Sequence, residues 1–129
     1  MNILAVVSVF TGAGLGALLR WGLGARLNPV FPPVPMGTLV ANLLGGLLIG
    51  LAVAWFSRNP GVPPELRLFL ITGFLGGLTT FSTFSAEVVT TLGRGEYGWG
   101  LAIAAAHLVG SLALAGVGLA LADLILARA

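Results

Sequence analysis

The chain has 129 residues, of which 57% are hydrophobic, and it carries six arginines, no lysine and four acids. A mean hydropathy of +1.06 excludes an ordinary soluble domain. Because a hydrocarbon layer of about 30 Å takes about 20 apolar residues per helix, this length holds four membrane spans and little else. The sequence therefore predicts an all-α membrane protein, with residues 1–129 forming a single four-helix domain.

Two further classes are excluded by the distribution of polar residues. The isoelectric point near 10.6 does not indicate a nucleic-acid partner, because the arginines stand singly between apolar runs. We find no nucleophile–base pair and no metal-ligand cluster, so we do not expect an enzyme. The absence of cysteine excludes disulfides and thiolate metal sites.

The predicted first span covers residues 2–23. Gly12 and Gly16, four residues apart, predict a surface on which another helix packs closely. Arg20 near the end of this span is open to two interpretations. It is either an interfacial side chain that reaches the headgroups, or a positive charge that draws anions toward a vestibule.

The predicted second span covers residues 36–56, and Asn42, Gly46 and Gly50 fall on one of its faces. The glycines favour helix packing. Burying an amide without a hydrogen-bond partner costs on the order of several kcal/mol. Asn42 therefore either forms a hydrogen bond between helices or lines a pore.

The predicted third span, residues 66–92, contains the most unusual stretch of the chain, residues 73–85. Three glycines, Gly73, Gly76 and Gly77, permit backbone conformations that a helix excludes, and five hydroxyls follow them. All seven prolines lie in loops, so we attribute the expected break to the glycines. Carbonyls freed by such a break suit a bare cation, and the stretch is interpreted as an ion site.

Polar residues also occur farther along the chain. Glu87 follows the stretch and is interpreted as a structural or tuning group rather than a proton carrier, because no second acid accompanies it in a span. In the predicted fourth span, residues 100–122, His107 and Ser111 share a helix face. His107 is either a packed, hydrogen-bonded side chain or part of a polar track beside a wet passage.

The arginines are balanced across the membrane. Four spans place Arg58, Arg67 and Arg128 on one side and Arg20, Arg26 and Arg94 on the other. The positive-inside rule needs an asymmetry to fix orientation, so we expect insertion both ways up. An antiparallel, dual-topology homodimer follows from that expectation.

The stretch from residue 73 resembles the signature of the Fluc fluoride channels, also called CrcB proteins. The matching residues are Gly73-Phe74-x-Gly76-Gly77-x-Thr79-Thr80-Phe81-Ser82-Thr83-Phe84. Gly16-x3-Arg20-Trp21, Gly37-Thr38-Leu39-x2-Asn42, Glu87 and the polar pair of the fourth span extend the resemblance over essentially the whole chain.

The resemblance implies a homodimer of opposite orientations with two fluoride pathways and a buried sodium ion at its centre. The carbonyls of Gly76 and Thr79 from both subunits would hold the sodium ion. Phe81 and Phe84 would line the pathways, and Arg20 would bias the vestibule electrostatically. The further pathway residues would be Asn42, which would donate its amide N–H near a pathway mouth, and Thr80, Thr83, Ser111 and His107 along the polar track.

We therefore expect a passive, fluoride-selective channel of the cell membrane that relieves fluoride toxicity. The alternative is a proton-coupled small multidrug exporter, which is also four-span and of dual topology. Such exporters need an acid within the first span, and this span has none. The expected partners are fluoride, a second copy of the chain and the lipid bilayer.

Overall fold

A computed structural model describes residues 1–128, and its regular structure in that range is entirely helical. Helix α1 spans Ile3–Leu27, α2 spans Met36–Arg58, α3 spans residues 64–78, α4 spans Phe81–Gly93 and α5 spans Tyr97–Ala127. A short 3-10 turn, Asn28–Val30, follows α1. Helices α3 and α4 together form the third of four segments long and apolar enough to cross a membrane. The predicted all-helical, four-span architecture with an interrupted third span is confirmed.

The free N–H groups at the helix starts are either accepted by side chains or removed by proline. Asn2 caps α1, because its Oδ1 accepts a hydrogen bond from the Ala5 N–H at 2.7 Å. The Asn28 Oδ1 accepts from the N–H groups of Gly37 and Thr38 at 2.7 and 3.1 Å, and thereby caps α2 from the preceding turn. Pro64 starts α3, a position at which its missing N–H costs nothing.

The third span is irregular in its first half, between Leu68 and Thr80. A π-helical stretch, Leu68–Leu75, leads into the last helical turn of α3, Gly76–Leu78. The chain is then extended at Thr79 (φ −86°, ψ 154°) and Thr80 (φ −148°, ψ 117°) before α4 begins. The break therefore lies two residues beyond the glycines to which the sequence interpretation assigned it.

Gly73 and Gly77 serve close packing against α1 instead. Gly76 has helical angles (φ −62°, ψ −38°), and the one positive φ in residues 1–128 is at Gly95 in the last loop. A Cβ at Gly73 would lie 2.9 Å from the Val9 carbonyl oxygen, and one at Gly77 would overlap the Ala13 carbonyl. Small residues thus let α3 rest directly on the backbone of α1.

Glycines also allow α2 to pack closely on α5. A Cβ at Gly46 would lie 2.7 Å from the Ser111 carbonyl oxygen, and one at Gly50 would lie 2.9 Å from the Leu119 N atom. This packing follows the small-residue face predicted for the second span. It brings Asn42, one turn before Gly46, against the middle of α5.

The outer surface of the bundle is apolar. Within the most apolar stretch of α1, and likewise of α5, only 11% is buried inside the protein. Large side chains such as Phe10 and Leu112 are more than 70% exposed. Such surface is stable in contact with lipid or with another apolar protein surface. The chain is a multi-pass membrane protein.

Candidate ion pathway at the break in the third span

The break is held by one side chain of α2. The Thr80 N–H donates to Asn42 Oδ1 at 2.7 Å, and Asn42 Nδ2 donates to the Thr80 carbonyl at 3.0 Å. Thr80 also caps α4, since its Oγ1 accepts from the Thr83 N–H at 3.1 Å. The half-buried Asn42 amide, which the sequence left between two interpretations, therefore forms hydrogen bonds between helices.

Asn42 also reaches α5. Its Nδ2 lies 2.9 Å from Nδ1 of His107, a residue that is only 3% exposed. The imidazole ring lies over Phe84, with ring centroids 4.6 Å apart and planes 30° apart. Ser111, one turn later, donates to the Asn42 carbonyl at 3.4 Å, which is a long hydrogen bond.

The two signature phenylalanines are in edge-to-face contact. Their ring centroids are 5.5 Å apart, and their planes are inclined by 69°. Phe84 is buried in the bundle, whereas Phe81 is 74% exposed on its surface. The ring edges carry the positive part of the aromatic quadrupole, so an anion can rest against them.

Two carbonyls at the break have lost the donors that a continuous helix would give them. The Thr80 N–H, four residues after Gly76, donates to Asn42. The Thr83 N–H, four residues after Thr79, donates to the Thr80 hydroxyl. The carbonyls of Gly76 and Thr79 therefore do not receive these two N–H groups.

Arg20 forms a hydrogen bond close to the same break. Its Nε donates to the Gly77 carbonyl at 3.0 Å, and the side chain is half-buried. The guanidinium therefore sits at the end of α3, where the helix dipole favours a positive charge. This position differs from that of a free interfacial side chain reaching toward the headgroups.

A cavity of about 480 Å³, here called the break cavity, collects most of the predicted site residues. Thr83, Arg20 and Glu87 are absent from its lining, and Gly45, Gly46, Leu75 and four further aliphatic side chains contribute to it. The predicted site residues that line it are Asn42, Gly76, Thr79, Thr80, Phe81, Phe84, His107 and Ser111. Amide, hydroxyl and aromatic-edge groups thus meet in one largely apolar space without a fixed charge in its lining.

Glu87 has a hydroxyl partner whose identity sequence reasoning did not give. The Thr38 hydroxyl donates to Glu87 Oε1 at 2.6 Å, while Oε2 is buried without a hydrogen-bond partner among residues 1–128. Thr38 itself is buried. The two residues are 49 positions apart, and no spacing pattern links them, so only the Thr38 hydroxyl in an apolar run hinted at a polar contact.

The side chains that line the break cavity offer amide, hydroxyl and ring groups rather than carboxylates. Across residues 1–128 no group of three His, Cys, Asp or Glu side chains could hold a metal ion. The residues that line the break cavity offer backbone oxygens as well as N–H, O–H and ring-edge groups. Both kinds of group meet at the break.

Comparison with known proteins agrees with this geometry. The family model described as "CrcB-like protein, Camphor Resistance (CrcB)" matches residues 7–119. A Burkholderia thailandensis protein is 61% identical over 115 residues, 89% of this chain and 90% of that protein. Relatives from Burkholderia pseudomallei and Burkholderia cenocepacia are 60% and 62% identical over the same shares of each chain.

All three relatives are named "Fluoride-specific ion channel FluC". That name gives no support to a multidrug exporter, and it agrees with the expectation that the chain is not an enzyme. The match extends from the first span to the fourth and includes every predicted site residue. This chain belongs to the CrcB family.

Proposed function

We propose that this protein is a fluoride-selective channel through which fluoride leaves the cell passively, relieving fluoride toxicity. The observation that carries the proposal is the edge-to-face pair Phe81–Phe84 beside the hydrogen-bonding groups of the break cavity. Fluoride is strongly hydrated, and a pore must replace its water with several close donors. Neutral donors do so without holding the ion too tightly to leave.

We assign the pathway to Phe81, Phe84 and the polar residues near them. Thr80, His107 and Ser111 line the break cavity with Asn42, and Thr83 follows on the first turn of α4. Arg20 and Glu87 act from outside the cavity. Arg20 supplies positive potential near the end of α3, and Glu87, held by Thr38, tunes the approach of the ion.

The functional unit in this proposal is an antiparallel homodimer in the cell membrane. The balanced arginines leave the orientation of each copy undetermined. Phe81 and Gly76 are exposed on the surface of the single chain, although both belong to the break. A second copy would cover them and close the break cavity, giving two pathways related by symmetry.

A sodium ion at the dimer centre completes the proposal. The freed carbonyls of Gly76 and Thr79 would bind it, two from each subunit. A buried cation there supplies positive charge that joins the two copies and favours anions nearby. Asn42 and Thr80 contribute by holding the helical N–H groups away from these carbonyls.

The first experiment measures anion efflux from liposomes that contain the purified protein, with valinomycin carrying potassium. We expect rapid loss of fluoride without loss of chloride and without a pH gradient. Phe81→Ile and Phe84→Ile should each lose fluoride flux while the dimer stays intact. Phe10→Ile is the matched control, because Phe10 is as exposed as Phe81 but lies on α1.

Fluoride flux at the unsubstituted rate in both phenylalanine variants would refute this pathway. If a folded dimer released neither fluoride nor chloride, the proposed channel function would be refuted. Orientation is tested separately with Gly61→Cys, in the loop between α2 and α3, and Gly98→Cys, in the first turn of α5. These variants add the chain's only thiols at open positions on opposite sides. Labelling of about half of each thiol from outside supports dual topology, and full labelling of one only would contradict it.

A further inference from the structure

Besides the break cavity, the bundle contains an apolar cavity of about 420 Å³ between α2, α3 and α5. This space, here called the second cavity, is bounded by Leu48 and Phe56 on α2, by Leu70 and Leu75 on α3, and by Ile125 on α5. All eleven of its lining side chains are aliphatic or aromatic, so it offers neither a charge nor a hydroxyl. Such a space would cost an ion its hydration, and it accepts a hydrocarbon group instead.

The second cavity runs along α2 from the membrane surface toward the middle of the bundle. Leu48 and Phe56 are the first and last of its α2 residues, and they are separated by about 12 Å along a helix that rises about 1.5 Å per residue. Trp55, which also lines the cavity, lies less than one turn before α2 ends at Arg58. Tryptophan is enriched at this level, where the lipid headgroups meet the hydrocarbon layer. A long apolar space in this orientation suits one acyl chain that enters from the headgroup region.

The deep end of the second cavity meets the break cavity at Leu75. This side chain lines both cavities and is only 7% exposed. Atoms that face an empty space lose the dispersion contacts that a close-packed neighbour would give them. A hydrocarbon chain in the second cavity would contact Leu75 and thereby support the wall of the break cavity.

A positive charge stands beside the second cavity at the membrane surface. The guanidinium carbon of Arg67 lies over the ring of Phe56, 6.0 Å from its centroid. Arg67 is exposed, and no carboxylate within residues 1–128 lies within ion-pair distance of it. Arg58, at the same end of the bundle, is instead paired with Asp123 at 2.6 Å. The charge of Arg67 is therefore available to an anionic group beside an apolar space, and a guanidinium binds phosphate with two parallel hydrogen bonds.

We propose that the second cavity binds one acyl chain of an anionic phospholipid from the surrounding bilayer, and that Arg67 binds the phosphate of that lipid. A second copy of the chain fits the same place less well. An antiparallel copy would bring to this level the end of the chain that carries Arg26 and Arg94 against Glu96, so its charge there is also positive. The inference does not depend on which ion the protein carries.

Trp55 can report which lipid occupies the second cavity. The chain has three tryptophans, and Trp21→Phe with Trp99→Phe leaves Trp55 as the only one. Lipids with brominated chains quench tryptophan fluorescence on contact, so they measure competition for this position in mixed bilayers. We expect brominated phosphatidylglycerol to compete about fivefold better than brominated phosphatidylcholine, as one arginine near an anionic lipid surface predicts. Equal competition by the two lipids would overturn the inference, and so would a Trp55 that neither lipid quenches, because a second copy would then cover the cavity.

Two arginine variants separate a specific site from general attraction to a charged surface. In the protein with Trp55 alone, Arg67→Gln should abolish the preference for phosphatidylglycerol. Arg26→Gln is the matched control, because Arg26 is also exposed but lies in the last turn of α1. It should leave the preference unchanged. The same preference in both variants would overturn the role of Arg67.

A second pair of variants tests the acyl chain. Ala52→Phe places a ring in the second cavity, whereas Val53, the next residue, is exposed and does not line it. Added phosphatidylglycerol should raise the thermal unfolding midpoint of the unsubstituted dimer and of Val53→Phe, but not that of Ala52→Phe. An equal rise in Ala52→Phe would show that no chain enters the cavity. The exposed Arg67→Gln change keeps the proposal testable if Ala52→Phe does not fold.

Discussion

Thr80 and Asn42 are joined by two hydrogen bonds, one to each polar atom of the Asn42 amide, although they lie 38 positions apart. The side chain replaces both backbone partners that Thr80 would have in an unbroken helix. An interruption of this kind survives in a membrane only where protein satisfies its backbone. Asn42 thus allows α3 to end and α4 to begin inside the bundle.

Replacing Asn42 with alanine should destabilise the protein and abolish fluoride flux. The change leaves the N–H and the carbonyl of Thr80 unpaired, and each buried orphan costs about 1–3 kcal/mol. Thermal unfolding in detergent measures the loss. Asn59→Ala is the matched control, because within residues 1–128 the Asn59 side chain donates only to the Trp55 carbonyl, at the exposed end of α2. Similar stability in the two variants would contradict the role assigned to Asn42.

Two glycines on α1 predict opposite outcomes for the same substitution. Gly16→Ala places a methyl group against the Phe74 carbonyl and 2.7 Å from the Leu78 N atom, so α1 and α3 must separate. Overpacking of this kind costs about 1–3 kcal/mol. Gly14 has no atom within 4 Å of an added Cβ, so Gly14→Ala should be neutral or slightly stabilising. Thermal unfolding of both variants tests the pair, and equal midpoints would contradict the packing described.

Arg20→Met should loosen the end of α3. It removes the hydrogen bond from Nε to the Gly77 carbonyl, and bonds from charged groups are worth about 1.5–3 kcal/mol. Part of this value is lost to solvent screening because the side chain is only half-buried. We expect a lower unfolding midpoint and slower fluoride flux. Arg26→Met, at an exposed position in the last turn of α1, should change neither quantity. Unchanged behaviour of Arg20→Met would show that the contact has no energetic role.

Thr38→Val tests the environment of Glu87. Valine keeps the shape of threonine but cannot donate to Oε1, so a partly buried carboxyl group loses the one hydrogen bond it accepts within residues 1–128. We expect a loss of about 1–3 kcal/mol in the free energy of unfolding. Thr38→Ser retains the hydroxyl and should recover most of it. If serine and valine behave alike, the hydroxyl of Thr38 does not support Glu87.

The sequence by itself determined the number of spans and their approximate limits. Hydropathy is a property of local composition, and the clustering of proline in loops left four uninterrupted apolar runs. Glycine spacing also predicted which faces pack closely, because a missing side chain acts wherever two helices meet. The signature around Phe81 and Phe84 located the candidate site, because the signature too is a pattern of residues that are neighbours in the sequence.

Only the tertiary structure decided where the third span breaks and what holds it. The glycines that looked like the cause are helical, and the extended residues are Thr79 and Thr80. The contacts that stabilise the break, from Asn42 and Arg20, join residues 38 and 57 positions apart. Such pairs depend on the rotation and depth of whole helices relative to one another, which no local pattern in a single sequence encodes.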